Sequence, residues 1–146
     1  MFVKPLFVCP ILLAIFGQIC CDILGRKQNA GAKGYLTCKG KPAKNVKVKL
    51  YDDDRGIDRD DLMGETMTNS RGYFEVTGHT KEYSTIDPKI NIYHNCADGY
   101  KPCYRKFTIK INDNYVSSGK NPPKLYDIKH IELKGKRKGE SRDCLN

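Results

Sequence analysis

The sequence lacks the motifs that the common enzyme classes require. It contains no G-x-S-x-G nucleophile elbow, no P-loop and no H-E-x-x-H zinc motif. Its three histidines, His79, His94 and His130, are scattered over different predicted strands and have no catalytic spacing. A C-x-x-C redox pair is also missing. We therefore expect a protein that is not an enzyme and that carries no cofactor.

Long apolar segments are missing too, except for one at the N-terminus. The first 21 residues contain one early cation, Lys4, and then an apolar stretch that ends at Gly17 and Gln18. A helix needs roughly 20 consecutive apolar residues to cross a bilayer, so this stretch is too short for an anchor. It is typical of a secretory signal peptide, and cleavage is expected near Cys20 or Cys21. The sequence therefore predicts a secreted protein.

Four of the seven cysteines lie beyond the predicted signal peptide, at Cys38, Cys96, Cys103 and Cys144. An even number of cysteines in a small secreted chain indicates two disulfides, although the spacing alone allows three pairings. Cys96 and Cys103 bracket a turn-rich segment between two predicted strands, so we predict that these two are paired. Cys38 would then pair with Cys144. The cysteines do not have zinc-finger spacing, and we expect no metal site among them.

The charge is unevenly balanced, with 26 Lys and Arg residues against 17 Asp and Glu residues and a formal net charge of +9. A basic secreted protein favours acidic partners, whereas its secretion argues against nucleic acid as the partner. The densest basic cluster contains Lys134, Lys136, Arg137 and Lys138. This cluster is a candidate contact for an anionic partner; the alternative, a solvated tail, is the more common state of a single charge run.

Acidic residues are concentrated in one segment, 52–61, which contains six aspartates. Carboxylates at such density could supply oxygen ligands to Ca²⁺. The segment does not fit the EF-hand pattern, because Gly56 comes too early and no glutamate closes the loop. Arg55 and Arg59 also lie within it. We interpret it as a solvated loop, and calcium binding is left open.

Several segments alternate apolar and polar residues with the period of two that half-buried strands show, at Val46–Tyr51, Ile90–Tyr93, Phe107–Ile111 and Asp127–Leu133. Seven or eight such short strands, separated by turn signals, predict an all-β sandwich of two sheets. At most one short helix is expected, near Thr80–Ile86.

The predicted sandwich occupies residues 33–146 as one domain with a basic C-terminal tail. The polar segment 22–32 before it, which contains Gly25 and Gly31, is predicted to be a short N-terminal arm. The sequence Asn69-Ser70-Arg71-Gly72 is a turn signal, and we expect the strands on either side of it to form a hairpin.

An ordered set of landmarks runs through nearly the whole mature chain: Gly34–Cys38 with Gly40 and Pro42, Val46–Asp52, Asp60–Met63, Thr68 with Gly72–Phe74, Pro88, His94–Cys96, Cys103 and Arg142–Cys144. This set resembles the nematode transthyretin-like family. The resemblance implies a transthyretin-type sandwich, secretion and extracellular roles that are mostly uncharacterised. At least one family member is understood to bridge cells, recognising phosphatidylserine on a dying cell and a receptor on the engulfing cell.

Three functions follow as hypotheses from the charge and the resemblance. The first is a secreted binding or bridging protein that recognises an anionic phospholipid surface, a cell-surface receptor or another extracellular protein. The second is a carrier of a small hydrophobic ligand, in a cavity or in the channel of an oligomer. The third, hydrolysis of 5-hydroxyisourate, is disfavoured because the chain ends at 142–146 without the Tyr-Arg-Gly-Ser signature of those enzymes. The oligomeric state is left open.

Overall fold

The computed structural model describes residues 25–54 and 59–146. The strands are β1 Arg26–Cys38, β2 Lys41–Pro42, β3 Lys47–Asp52, β4 Asp61–Met67, β5 Tyr73–Glu82, β6 Pro88–His94, β7 Tyr104–Lys110, β8 Ser117–Ser118, β9 Tyr126–Glu132 and β10 Ser141–Asp143. A single turn of 3₁₀ helix, Asp113–Tyr115, is the one helical element in these ranges. The all-β prediction is confirmed. Among the described residues, no helix has the length and apolar character that a membrane crossing requires.

The strands form two five-stranded sheets. The first is built on β1, which pairs antiparallel with β2, β5 and β8 and parallel with β9. The second has the order β10-β7-β6-β3-β4, and its neighbouring strands are all antiparallel. A disulfide joins Cys38, at the end of β1, to Cys96, just after β6. The loops that follow β1 and β6 therefore lie at the same end of the sandwich.

The apolar residues of the alternating segments form the core between the two sheets. In β3, Val48 and Leu50 are completely buried, and Lys47 and Lys49, which alternate with them, point outward. Phe74, Ile90 and Ile92 come from both sheets and fill the centre with similarly buried side chains. Burial of each such side chain contributes about 1.5–3 kcal/mol, so this interface supplies most of the driving force for folding.

The two sheets touch directly where β4 and β5 pass each other. A Cβ atom on Gly64 would lie 2.3 Å from the carbonyl oxygen of Thr77, and one on Gly78 would lie 2.2 Å from that of Met63. The hairpin prediction is therefore wrong: β4 and β5 belong to different sheets. The predicted turn exists, with Asn69 Oδ1 accepting the backbone N–H of Arg71 at 2.9 Å, but it carries the chain from one sheet to the other.

The N-terminal arm also differs from the prediction, because β1 begins at Arg26 and residues 26–32 form half of this central strand. Because residues 26–32 are mostly polar or small, the sequence pattern does not identify them as a strand. Gln28 and Asn29 are buried, and hydrogen bonds to neighbouring segments compensate for their burial. Gln28 Nε2 donates to the carbonyl of Ser84 at 2.6 Å, and Asn29 Oδ1 accepts from the Ser117 hydroxyl at 2.7 Å. The predicted signal peptide lies outside the described residues.

The helix expected near Thr80–Ile86 is not found there. The segment instead begins as the end of β5 and continues as the connection to β6. Extension of the strand explains this difference, because β5 pairs with β1 as far as Glu82, opposite Arg26.

The disulfide pairing differs from the prediction as well. The bonds join Cys38 to Cys96 and Cys103 to Cys144, with Cα–Cα distances of 5.7 and 4.2 Å. Cys38 ends β1 in one sheet and Cys96 follows β6 in the other, so the first bond links the two sheets. Asp143 of β10 pairs with Tyr104 of β7, and this register places Cys144 beside Cys103. Strand neighbours therefore decide the pairing, rather than closeness in sequence.

Candidate anion-binding site

A cleft lies at the end of the sandwich that carries both disulfides. The β6–β7 loop (residues 95–103) and the β9–β10 loop (residues 133–140) form its walls, together with β10. The cleft has a volume of about 480 Å³ and is lined by Ala97, Asp98, Lys101, Arg105, Lys134, Lys136, Glu140, Ser141 and Arg142. Five of these side chains are cationic and two are anionic. The lining therefore favours an anionic ligand over an apolar one.

Arg105 forms the floor of the cleft and holds its two walls together. Its guanidinium makes a two-pronged ion pair with Glu140, through Nε to Oε1 at 2.7 Å and Nη2 to Oε2 at 2.9 Å. It also donates to the carbonyl oxygens of Cys96 at 2.8 Å and Gly135 at 2.9 Å. The bonds from Arg105 hold the pKa of Glu140 below its ordinary value. The pair is buried, and its hydrogen bonds make it a structural element of the site.

Arg142 and Asp98 make a second two-pronged pair at the rim. The Arg142 guanidinium donates to the Asp98 carboxylate at 2.6 and 2.5 Å, and it lowers the pKa of that carboxyl. Arg142 also donates to the carbonyl of Cys103 at 3.2 Å. These bonds fix β10 against the β6–β7 loop, so the shape of the cleft is set before any ligand arrives.

Three lysines remain available to a ligand: Lys101, Lys134 and Lys136, all exposed. Over residues 25–54 and 59–146, no carboxylate lies within ion-pair distance of their ammonium groups. A lysine ammonium is a compact charge that binds phosphate or sulfate oxygens without demanding a fixed planar geometry. We define these three residues as the lysine triad, and we take the triad as the part of the cleft that would contact an anion.

The triad is extended by the neighbouring β1–β2 turn. The Glu132 carboxylate accepts backbone N–H groups from Lys39 and Gly40 at 3.0 Å and from Lys134 at 2.9 Å. These bonds lower the pKa of Glu132 to about 2. Glu132 therefore ties the turn that carries Lys39 and Lys41 to the loop that carries Lys134 and Lys136, and more lysines are brought to the same end of the sandwich.

The predicted basic cluster separates in the structure. Lys134 and Lys136 line the cleft, and Lys138 is exposed outside it. Arg137 turns inward instead: its guanidinium lies 5.0 Å from the ring centroid of Phe107 and donates to the carbonyl of Glu132 at 3.4 Å. This cation–π contact gives Arg137 a packing role. Sequence reasoning missed Lys101, whose only signal was its position between two disulfide cysteines.

Burial at His94 supports a structural role for this histidine. Its ring packs edge-on against Phe107, and its Nδ1 accepts the backbone N–H of Cys96 at 3.2 Å. Burial, helped by the nearby charge of Arg105, lowers the pKa of His94 to about 4. The ring is therefore neutral at physiological pH.

The acidic segment lies at the other end of β3 and β6. Asp52, Asp54 and Glu82 can place one oxygen each within 4.8 Å of the others. Burial raises the pKa of Asp52, which accepts the backbone N–H of Asp87 at 2.8 Å. Residues 55–58 of the segment lie outside the described residues. Calcium binding at this segment stays a prediction.

Comparison with known proteins gives one consistent family. The model of the TTR-52, transthyretin-like family matches residues 33–112. The chain is similar to three Caenorhabditis elegans proteins in particular. Transthyretin-like protein 5 is 57% identical over 85% of this chain and 89% of its own length, and transthyretin-like protein 33 is 55% identical over 82% and 83%. Transthyretin-like protein 2 is 44% identical over 86% and 88%.

One solved structure, a 9R-lipoxygenase from Cyanothece, is similar over 92% of this chain and 18% of its own. Its TM-score is 0.38 at 16% identity, a likeness too low to support any conclusion about this protein.

Proposed function

This chain belongs to the transthyretin-like family, and from that premise we propose that it is a secreted, non-enzymatic protein that docks on anionic phospholipid surfaces through the lysine triad. In this proposal its other faces are available to a cell-surface receptor, so the protein acts as an extracellular bridge. The two disulfides support the extracellular location, because such bonds persist in oxidising compartments.

The observation that carries the proposal is the position of three exposed lysines around one cleft, with no ion-pair partner for them in the described part of the chain. Each lysine held near an anionic membrane contributes on the order of 1 kcal/mol of attraction. The triad and the neighbouring Lys39 and Lys41 therefore suffice for reversible docking. Phosphatidylserine is the headgroup that we favour, since it offers a phosphate and a carboxylate to lysines on two different loops.

The construction of the cleft adds to this support. The Arg105–Glu140 pair, the Arg142–Asp98 pair and the Cys103–Cys144 bond all fix the walls. A site that is already ordered loses little conformational freedom on binding, and more of the electrostatic attraction appears as affinity. The charged lining also makes this cleft a poor carrier site for a small hydrophobic ligand.

A charge-reversal experiment tests the location of the site. We expect Lys134→Glu with Lys136→Glu to weaken binding to phosphatidylserine vesicles by about tenfold or more, because each reversal replaces an attraction of about 1 kcal/mol by a repulsion. Vesicle flotation of the oxidised protein measures this directly.

The matched control is Lys81→Glu with Lys120→Glu, which makes the same change in net charge. Both control lysines are exposed and lie near the start of β1, at the opposite end of the sandwich. We expect at most a twofold loss for this pair, since screening in physiological salt limits its effect to about 8 Å. Equal losses in the two variants would refute a site at the triad.

A further inference from the structure

Three apolar side chains project into solvent beside the cleft. Tyr100 and Leu145 are fully exposed, at 108% and 97% of their reference areas, and Tyr104 is 43% exposed. We call them the apolar rim. Large apolar side chains that are exposed near one another on a small protein commonly mark a surface that contacts something else, and the Cys103–Cys144 bond brings the backbones of Tyr104 and Leu145 close.

The local structure holds the apolar rim in place. Cys103 precedes Tyr104 and Cys144 precedes Leu145, and the Cα atoms of the two cysteines are 4.2 Å apart. The disulfide therefore brings two separate segments of chain together at this point. Tyr100 lies in the middle of the β6–β7 loop, directly after Gly99, whose φ of 62° is a left-handed conformation that glycine adopts without strain.

The apolar rim and the lysine triad have neighbouring residues in the β6–β7 loop. Lys101 follows Tyr100 and lines the cleft, and Arg142 donates to the carbonyl of Cys103 between them. One end of the molecule thus presents apolar tips next to a positive surface. Tyrosine is favoured at the boundary between headgroups and acyl chains, where its ring is buried and its hydroxyl stays wet.

We infer that the apolar rim enters the headgroup layer of an anionic phospholipid bilayer, with Tyr100 deepest, while the lysine triad contacts the phosphates. This inference rests on the proposed function and adds to it the orientation of the protein: the disulfide-bearing end faces the membrane. The apolar side chains protrude rather than line a groove, and the surrounding charge is positive; both features match a soft anionic surface.

The chain contains no tryptophan, so a single introduced tryptophan reports its own surroundings. We would make Tyr100→Trp and, as the matched control at the opposite end, Tyr83→Trp, which replaces a tyrosine that is 74% exposed. Each variant is added to vesicles of phosphatidylserine and phosphatidylcholine, with and without bromine on the acyl chains. We expect a blue shift and quenching of the indole fluorescence in Y100W, and neither change in Y83W.

Flotation of the same samples separates the possible failures. Binding of both variants with unshifted, unquenched fluorescence in Y100W would overturn the insertion and leave the proposed function standing. Failure of the wild-type protein and both variants to float would overturn the insertion and the proposed function together. Quenching in both variants would contradict the stated orientation.

A second variant tests the apolar contribution without a probe. Tyr100→Ser with Leu145→Ser should lower vesicle affinity about fivefold or more, and the loss should persist in high salt, because burial of apolar surface is not screened. An unchanged melting temperature, which the exposure of both side chains predicts, shows that the variant is folded.

Unchanged vesicle affinity in this double variant, or a loss of affinity that disappears with salt, would refute the inference. Capture of a protein partner that requires Tyr100, without any membrane insertion, would equally overturn it.

Discussion

At the residue scale, Arg105 is the side chain on which the candidate site depends most. Its guanidinium bonds to Glu140 and to backbone carbonyls on both walls of the cleft, and it does so from the second residue of β7. Hydrogen bonds and the ion pair offset the desolvation cost of this buried charge, whereas a buried charge that loses its partner is left uncompensated. A substitution at Arg105 is therefore expected to change both the shape of the cleft and the free energy of unfolding.

Replacement of Arg105 by Met should destabilise the protein by about 3–5 kcal/mol, because Glu140 loses its counter-charge while it stays buried. The double variant Arg105→Met with Glu140→Gln should recover part of this loss, since no unpaired charge is left. Urea unfolding monitored by circular dichroism measures both values. A loss below about 1 kcal/mol for the single variant would contradict the structural role of the pair.

The lowered pKa of His94 makes the stability of the fold depend on pH. Its pKa falls from an ordinary value of 6.5 to about 4 in the folded protein, because burial disfavours the charged ring. The unfolded chain therefore binds the proton more readily, and the stabilisation that is complete above pH 6.5 is lost as the pH falls towards 4.

We expect the free energy of unfolding to drop by about 2–4 kcal/mol over this interval. His94→Asn keeps an acceptor for the Cys96 N–H and has no titrating group, so its unfolding free energy should change much less. Urea unfolding at neutral pH and at two steps down to the folded-state pKa of His94 compares the two proteins. Identical slopes would show that the pH dependence has another source.

At the scale of elements, the two disulfides differ in environment. Cys96 is 7% exposed and belongs to the core cluster, whereas Cys144 lies on the surface at the end of β10. A reductant must reach a sulfur atom to attack it. The bond at β10 is therefore open to reduction while the fold is intact, and the bond between the sheets is protected.

Stepwise reduction with dithiothreitol should open Cys103–Cys144 first. Alkylation followed by mass spectrometry identifies the modified cysteines, and we expect Cys103 and Cys144 to be labelled before any label appears at Cys38 or Cys96. Release of β10 frees Arg142, so vesicle binding should weaken at the same step. Simultaneous labelling of all four cysteines would contradict the difference in accessibility.

The elements that could be predicted from the sequence are those whose burial follows hydrophobicity. β3 and β7 show the period of two plainly, because their inward residues are mostly valine, leucine, isoleucine and phenylalanine. β6 shows it in Ile90 and Ile92, although Asn91 and Tyr93 between and after them are buried as well. β1 does not, since buried Gln28 and Asn29 are satisfied by distant hydrogen bonds that no local pattern reveals. The disulfide pairing required knowledge of which strands are neighbours.

The site divides in the same way into predicted and unpredicted parts. Lys134 and Lys136 could be found because they are close together in the sequence. Lys101 joins them only through the placement of the β6–β7 loop beside the β9–β10 loop, and Arg137 leaves them because Phe107 offers its ring. Density of charge along the chain predicted the region, and the fold decided which cations face the ligand.

At the scale of the whole molecule, charge is separated along the strands. The acidic segment after β3 begins beside Pro88, the first residue of β6, and the lysine triad lies beyond the other end of β6. The 7 residues of β6 place these regions about 20 Å apart. At the acidic end Lys89 pairs with Asp53 and Asp60, whereas the triad lysines have no carboxylate partner within residues 25–54 and 59–146. An anionic surface is therefore attracted to the triad end, which agrees with the proposed membrane orientation.

The most direct test of phospholipid docking is flotation of the oxidised protein with vesicles of three compositions: phosphatidylserine, phosphatidylglycerol at matched charge, and phosphatidylcholine alone. We predict a preference for phosphatidylserine over phosphatidylglycerol at every salt concentration at which binding is measurable, and no binding to phosphatidylcholine. Equal binding to both anionic lipids that disappears with salt, or no binding to any of the three, would contradict this prediction.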